Sequence, residues 1–222
     1  MKIAVLGGTF NPIHNGHMAL ADSVCKELGY DKIIFVPSFI PPHKELSSSV
    51  SGKERIKMVG FACRKDKRFI LETCEFKRGG VSYTYDTICY LEKKYAGVLE
   101  GKMGLIMGED LFSGFHLWHK AKELSEKCTL ILAKRPGVDV SYLENSEKFM
   151  NPSLGEYARL SNDFELSSEP LFKNAVVLKT PMLPISSTEI RALAAENGAF
   201  CYLVPEKIFK YITKGKLYAK NK

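Results

Sequence analysis

The sequence predicts an α/β protein, a doubly wound parallel sheet with a small C-terminal helical part from about residue 185. Three observations predict it. Short apolar runs alternate with segments whose apolar residues recur at helical spacing, the pattern of a parallel sheet covered on both faces. At 222 residues, with 45% hydrophobic and 26% charged residues, the chain is long enough to bury a sizeable core. Every unusual motif falls just after an apolar run, where open α/β sheets bind their ligands. No internal repeat or linker interrupts the pattern, so residues 1–222 are expected to form one domain.

The elements follow in order. "KIAVLGG" (2–8) reads as a buried strand, and Met18, Ala21, Val24, Cys25 and Leu28 lie at helical spacing until Gly29 stops the helix. "KIIFVPS" (32–38) is a second strand, and the Pro- and Ser-rich loop "FIPPHKELSSSVSG" leads to a helix near Lys53 to Arg64. "RFILETCEF" (68–76) reads as a third strand, followed by "SYTYDTICYLEKKY", in which Thr84 is expected to cap a helix running to Tyr95. "MGLIMGED" (103–110) is a fourth strand. The stretch from Leu111 to Lys127 has helical character, with Gly114 and the aromatic residues around Trp118 expected to break it in two. "TLILAKRPG" (129–137) and "AVVLKT" (175–180) are the fifth and sixth strands, separated by the irregular span 138–172. "PMLPISSTEIRALAAENG" (181–198) runs from a turn into a helix that Asn197 and Gly198 end.

The net charge of +7 suggests a nucleic-acid partner until it is located. Six lysines and no acid lie from Lys207 onward, which leaves 26 basic against 25 acidic residues in the rest of the chain. The body is nearly neutral, and the Lys-rich end reads as a solvated, frayed terminus; no nucleic acid partner is expected. No run of about 18 apolar residues and no signal-peptide pattern is present, so a cytoplasmic protein without membrane contact is expected. Six scattered cysteines without a C-x-x-C pair read as reduced, mostly buried thiols.

Two motifs carry chemistry. In "LGGTFNPIHNGH" (6–17), Gly7 and Gly8 either let the backbone approach a ligand or simply make a tight strand-to-helix turn. His14 sits just before, and His17 within, the first turn of the following helix, where free N–H groups and the helix dipole favour an anion. As metal ligands the two lack a third partner nearby, so phosphate is the better reading. Neither Walker-A nor dinucleotide-binding glycine spacing is present. In "ISSTEIR" (185–191), Ser186, Ser187 and Thr188 offer hydroxyl and N–H groups at a second helix start, with Arg191 one turn further; the alternative is a plain capping box of Ser186 with Glu189. Asp110, ending a strand, is a helix cap or a ribose partner. Trp118 is a core residue by composition, though an indole is also a stacking surface. Lys44 by itself reads as a solvated loop lysine.

On these residues the chain resembles the HxGH nucleotidyltransferase superfamily. With "FVPSFIPPHK", "SYTYDT", "GEDLFSGFHLWHK" and "LAKRPG" added, it is similar to the bacterial nicotinate mononucleotide adenylyltransferases over residues 1–212. The resemblance implies a Rossmann-like nucleotidyltransferase fold and transfer of AMP from ATP to nicotinate mononucleotide, giving deamido-NAD and pyrophosphate in NAD biosynthesis. His14 and His17 are then the catalytic donors to phosphate oxygens. The implied ATP site comprises Gly7, Gly8, Thr9, Phe10, Gly16, Gly108, Asp110, Arg135, Ser187, Thr188 and Arg191, with the last three on the departing phosphates and Asp110 on the ribose. The implied mononucleotide site comprises His43, Lys44, Tyr83, Thr84 and Trp118, with the indole on the pyridine ring. Mg²⁺ is expected on the triphosphate, without protein ligands, and a homo-oligomer is admitted.

Asn11 departs from this branch, which more often has Asp there, and so removes one negative charge beside the triphosphate. Span 138–172 matches poorly. The resemblance also leaves rivals. Nicotinamide mononucleotide is an alternative acceptor, whereas "SYTYDT" and "LWHK" speak against a pantetheine-phosphate adenylyltransferase or a cytidylyltransferase. A non-catalytic nucleotide sensor would be expected to have lost a histidine or Arg191, and all are present.

Overall fold

The computed structural model describes residues 1–40, 50–135 and 169–219. Among the described residues six strands, all parallel, form one sheet in the order β3-β2-β1-β4-β5-β6. They are β1 (Ile3–Gly8), β2 (Lys32–Pro37), β3 (Phe69–Leu71), β4 (Gly104–Gly108), β5 (Thr129–Ala133) and β6 (Val176–Val177). Each expected strand is present. The order reverses between β1 and β4, whose register pairs are Ala4 with Gly104 and Val5 with Leu105. The reversal makes the carboxyl ends of β1 and β4 the switch point of the sheet, where open α/β sheets bind their ligands.

Seven α-helices are described: α1 (Asn15–Leu28), α2 (Gly52–Cys63), α3 (Cys74–Arg78), α4 (Thr84–Tyr95), α5 (Ala121–Lys127), α6 (Ser187–Ala195) and α7 (Glu206–Lys214). Strand side chains alternate between two cores, as the period of two requires. Ala4, Leu6, Ile33, Phe35, Ile106 and Ile131 face α1, α2, α6 and α7. Ile3, Val5, Ile34, Val36, Leu105 and Leu130 face α4 and α5. Burial on both faces explains why the strands read as continuous apolar runs.

Several expectations need correction. The third strand ends at Leu71, because Glu72 turns inward, accepts from Thr73 N and pairs with Lys94, and α3 begins at Cys74. Thr84 does not cap α4: it is the first helical residue, Tyr83 holds the cap position, and no side chain bonds there. Between Leu111 and Lys127 the aromatic stretch forms 3₁₀ turns at Glu109–Leu111 and Phe115–Leu117, so that only Ala121–Lys127 is α-helical. As far as Ala219 the Lys-rich end is no frayed terminus. Ile208 and Ile212, one turn apart on α7, are buried against the core, and Tyr218 is buried after them. All six cysteines are free thiols, four of them buried. Among the described residues no helix is long and apolar enough to cross a membrane.

Candidate active site

The chain leaves β1 at Gly8 and turns through Thr9 to Ile13 before α1 begins. Phe10 adopts a positive φ of 47°, which sends its ring inward against His17 (centroids 5.0 Å apart, edge-on) and Phe35 (5.9 Å). His14 takes the N-cap position of α1 with an extended backbone, and His17 is the third helical residue. The spacing stacks their rings at 3.7 Å between centroids, 28° from parallel. His14 N donates to His17 Nδ1 at 3.2 Å, which leaves the proton of a neutral His17 on Nε2. Burial, then the charge of Arg135, pushes the His14 imidazole down to about 4. Burial, then His14, holds His17 well below its ordinary value. Near pH 7 both rings are therefore neutral, each carrying one N–H, rather than fixed cations. Gly16 between them is a packing requirement: a Cβ there would lie 3.0 Å from His14 Nδ1 and 3.1 Å from its Cε1.

The second motif docks onto the first across the chain. Ser186 caps α6 by accepting from Thr188 N at 3.2 Å, one residue short of the capping box with Glu189. Ser187 Oγ donates to Pro12 O at 2.9 Å. Arg191 Nη1 donates to Asn11 O at 2.9 Å, and Nη2 to Thr188 Oγ1 at 3.1 Å. Two segments about 175 residues apart are thus joined through the backbone of residues 11 and 12. The link continues at Asn15, whose N donates to Leu203 O (2.9 Å) and whose Nδ2 donates to Tyr202 O (2.8 Å).

On the other side, Arg55 of α2 is 2% exposed and donates from Nη1 to Thr9 O at 2.7 Å and from Nη2 to Phe39 O at 3.5 Å. It ties the turn after β1 to the turn after β2. The sequence reading missed it, although its signal is there: Arg55 shares the helical face of the buried Met58, Val59 and Ala62.

At the end of β4, a Cβ on Gly108 would lie 2.7 Å from Asp110 Oδ1, so a larger residue there would push that carboxylate aside. Asp110 Oδ1 stands 4.0 Å from Arg135 Nη2, and Arg135 N donates to Glu109 Oε2 at 2.7 Å. Through the field of Arg135, the end of β5 reaches His14.

A further cluster forms at the start of α4. Ser82 N donates to Ile40 O at 2.9 Å while Ser82 Oγ accepts from Phe39 N at 2.9 Å, which pins Tyr83 and Thr84 beside the turn after β2. The half-exposed Tyr83 ring lies on His119 at 4.6 Å, a contact the sequence reading did not anticipate. Trp118 is half-buried, edge-on to the core residue Phe115 at 5.3 Å. His43 and Lys44 lie outside the described residues. Among the described residues no three His, Cys, Asp or Glu side chains cluster so as to hold a metal ion.

The cytidylyltransferase-like family profile matches residues 5–193. A Treponema pallidum protein named "Probable nicotinate-nucleotide adenylyltransferase" is 34% identical over 98% of this chain and 99% of its own length. A Lactococcus lactis protein of the same name is 32% identical over 99% of this chain and 96% of its own. Among solved structures, the Plasmodium falciparum nicotinic acid mononucleotide adenylyltransferase complexed with NaAD aligns with a TM-score of 0.68 at 17% identity, over 98% of this chain and 97% of that one. That likeness shows the shared fold, and the matches in sequence extend along nearly the whole chain. The chain therefore belongs to the cytidylyltransferase-like family and, within it, to the nicotinate-nucleotide adenylyltransferases.

Proposed function

We propose that this chain transfers the adenylyl group of ATP to nicotinate mononucleotide, forming deamido-NAD and pyrophosphate in NAD biosynthesis, and that the whole chain works as one nucleotidyltransferase domain in the cytoplasm. The observation that carries the reading is the junction of two anion-ready helix starts, α1 and α6, at the switch point of the sheet, in a chain of this family.

The 5′-phosphate of the mononucleotide is already ionised at pH 7, so no strong general base is needed. In-line attack on the α-phosphorus calls for positioning and for donors aimed at the developing charge. His14 and His17 suit that task as neutral rings beside the α1 N-terminus, since each gives a hydrogen bond without giving up a proton. Arg191 uses two of its donors to hold Asn11 O and Thr188 Oγ1, and the remainder would face the departing phosphates. The Ser187 hydroxyl is committed to Pro12 O, so Ser187 would meet phosphate through its backbone N–H. Gly7, Gly8 and Thr9 would form the floor under the nucleotide, with Asp110 at the ribose.

The donor set also bears on magnesium. Glu109 accepts from Arg135 N and Asp110 faces the same arginine, so the carboxylates there suit a metal carried by the triphosphate better than one caged by the protein. Mg²⁺ so carried would neutralise phosphate charge. Arg135 and Arg191 would add to that from either side of the switch point.

Tyr83, Thr84 and Trp118 would line the pyridine ring, and the unpaired N–H groups opening α4 would receive the nicotinate carboxylate. The test offers purified protein ATP, Mg²⁺ and one acceptor at a time, and measures pyrophosphate. Nicotinate mononucleotide is expected to exceed nicotinamide mononucleotide by about 10² to 10³ in kcat/KM, from two charge-assisted hydrogen bonds less carboxylate desolvation. Release with phosphopantetheine alone, or with no acceptor, would overturn the assignment.

A further inference from the structure

Asn11 stands three residues before His14 and is gripped twice by the C-terminal part of the chain. Arg191 Nη1 holds its carbonyl, and Tyr218 OH donates to its side-chain Oδ1 at 2.8 Å. The second bond spans 207 positions and is shielded from water, Asn11 being 7% and Tyr218 8% exposed. The backbone of the tail is bent to make it. Lys216 (φ 48°) and Tyr218 (φ 70°) both adopt the left-handed conformation, which ordinary residues keep only where surrounding contacts hold them there. The bend brings the phenol into the core cluster that contains Phe10 and Ile13. Burial pushes the phenol upward; the charge of Arg191 acts against that shift, Glu54 acts with it and Arg55 against it. The hydroxyl stays protonated, and stays a donor, across the working pH range.

We propose that Tyr218 is a positioning residue for adenylyl transfer: its hydroxyl, acting through Asn11 Oδ1, fixes the turn that presents His14 and His17. The inference rests on the adenylyltransferase reading above. It also accounts for Asn11, because an amide oxygen accepts this bond as a carboxylate would and adds no negative charge beside a triphosphate. Tyr218 touches no reacting atom. Its ring fills the core and its hydroxyl sets the turn, and the two contributions separate in Tyr218→Phe, which keeps the ring.

The test is a double-mutant cycle on kcat, with KM for ATP and mononucleotide and the thermal midpoint recorded for wild type, Tyr218→Phe, Asn11→Ala and the double variant. Tyr218→Phe is expected to stay folded at the assay temperature and to lose about tenfold in kcat, as a displacement of a few tenths of an ångström at the histidines would produce, with each KM within about threefold. In the Asn11→Ala background the same substitution is expected to change kcat by less than about twofold. Wild-type kcat in Tyr218→Phe, or an equal loss in both backgrounds, would overturn the role while leaving the enzyme's function intact. Wild-type protein that releases no pyrophosphate would overturn the function and this role together.

Discussion

Gly16→Ala adds one methyl group at a point where helix energetics and site geometry pull in opposite directions. In an exposed helix the change would add about 1 kcal/mol of stability through propensity. Here the new Cβ would meet His14 Nδ1 at 3.0 Å and Cε1 at 3.1 Å, with Ile185 Cβ 3.5 Å away on another side. Ordinary contact requires the imidazole to withdraw by a few tenths of an ångström. The imidazole is stacked on His17 at 3.7 Å, so a shift of one ring is expected to move the other. Overpacking of this kind costs about 1 to 3 kcal/mol, which the propensity gain partly offsets. The net change is roughly 0 to 2 kcal/mol, a midpoint shift of at most several degrees for a chain of this size. Activity has no such compensation. Misplacement by about 1 Å costs roughly 10²-fold, so a few tenths at two donors at once predicts a loss of about 10- to 10²-fold in kcat. The assay is pyrophosphate release at 25 °C with saturating substrates, paired with thermal unfolding. Gly97→Ala, whose Cβ would meet nothing within 4 Å, is the control. A folded Gly16→Ala protein with kcat within twofold of wild type would refute the claim that this glycine exists to seat His14.

His17→Ala is expected to lower kcat by about 10²- to 10³-fold with a smaller effect on ATP affinity, the size of losing one transition-state donor; steady-state kinetics with unchanged kcat would remove it from the catalytic pair. Arg55→Met strips the buried cation from Thr9 O and Phe39 O, and urea unfolding should show a loss of roughly 3 kcal/mol, an unchanged midpoint showing instead that the turn holds without it. Imidazole NMR of the free protein should show neither His14 nor His17 titrating near 6.5, because both are depressed in the folded state. The unfolded chain then binds protons at a higher pH than the native one, so stability is complete above about pH 6.5 and falls as pH drops toward 4. His14 alone accounts for about 3 kcal/mol of that fall, and a stability flat over this window would contradict the buried, neutral assignment.

Much of this molecule was legible before any coordinates. The central strands β1, β2, β4 and β5 announced themselves because both faces of the sheet are buried there, which writes each one as an apolar run. The histidine pair was legible because three residues of helix suffice to stack the rings of His14 and His17, and Gly16 lies in the same short stretch. The Arg191 motif was legible as a helix start, though not what its side chains would hold. Local rules failed where a tertiary partner outbid them. Thr84 has the chemistry of a cap, but Ser82, hooked to Phe39 and Ile40, sets where α4 begins. Glu72 looked like strand until Lys94, on another helix, drew its carboxylate inward. The strand order, the Arg55 clamp and the bond from Tyr218 to Asn11 came only from the folded chain. Which strand pairs with which leaves no local mark on the residues joined, and a side chain 207 positions from its partner carries no sign of it in sequence. By itself the sequence determined which residues are apolar in which period and which helix starts attract anions. Tertiary structure decided which of those starts face each other, because that depends on where the sheet reverses its order and on what the buried polar groups find to bond.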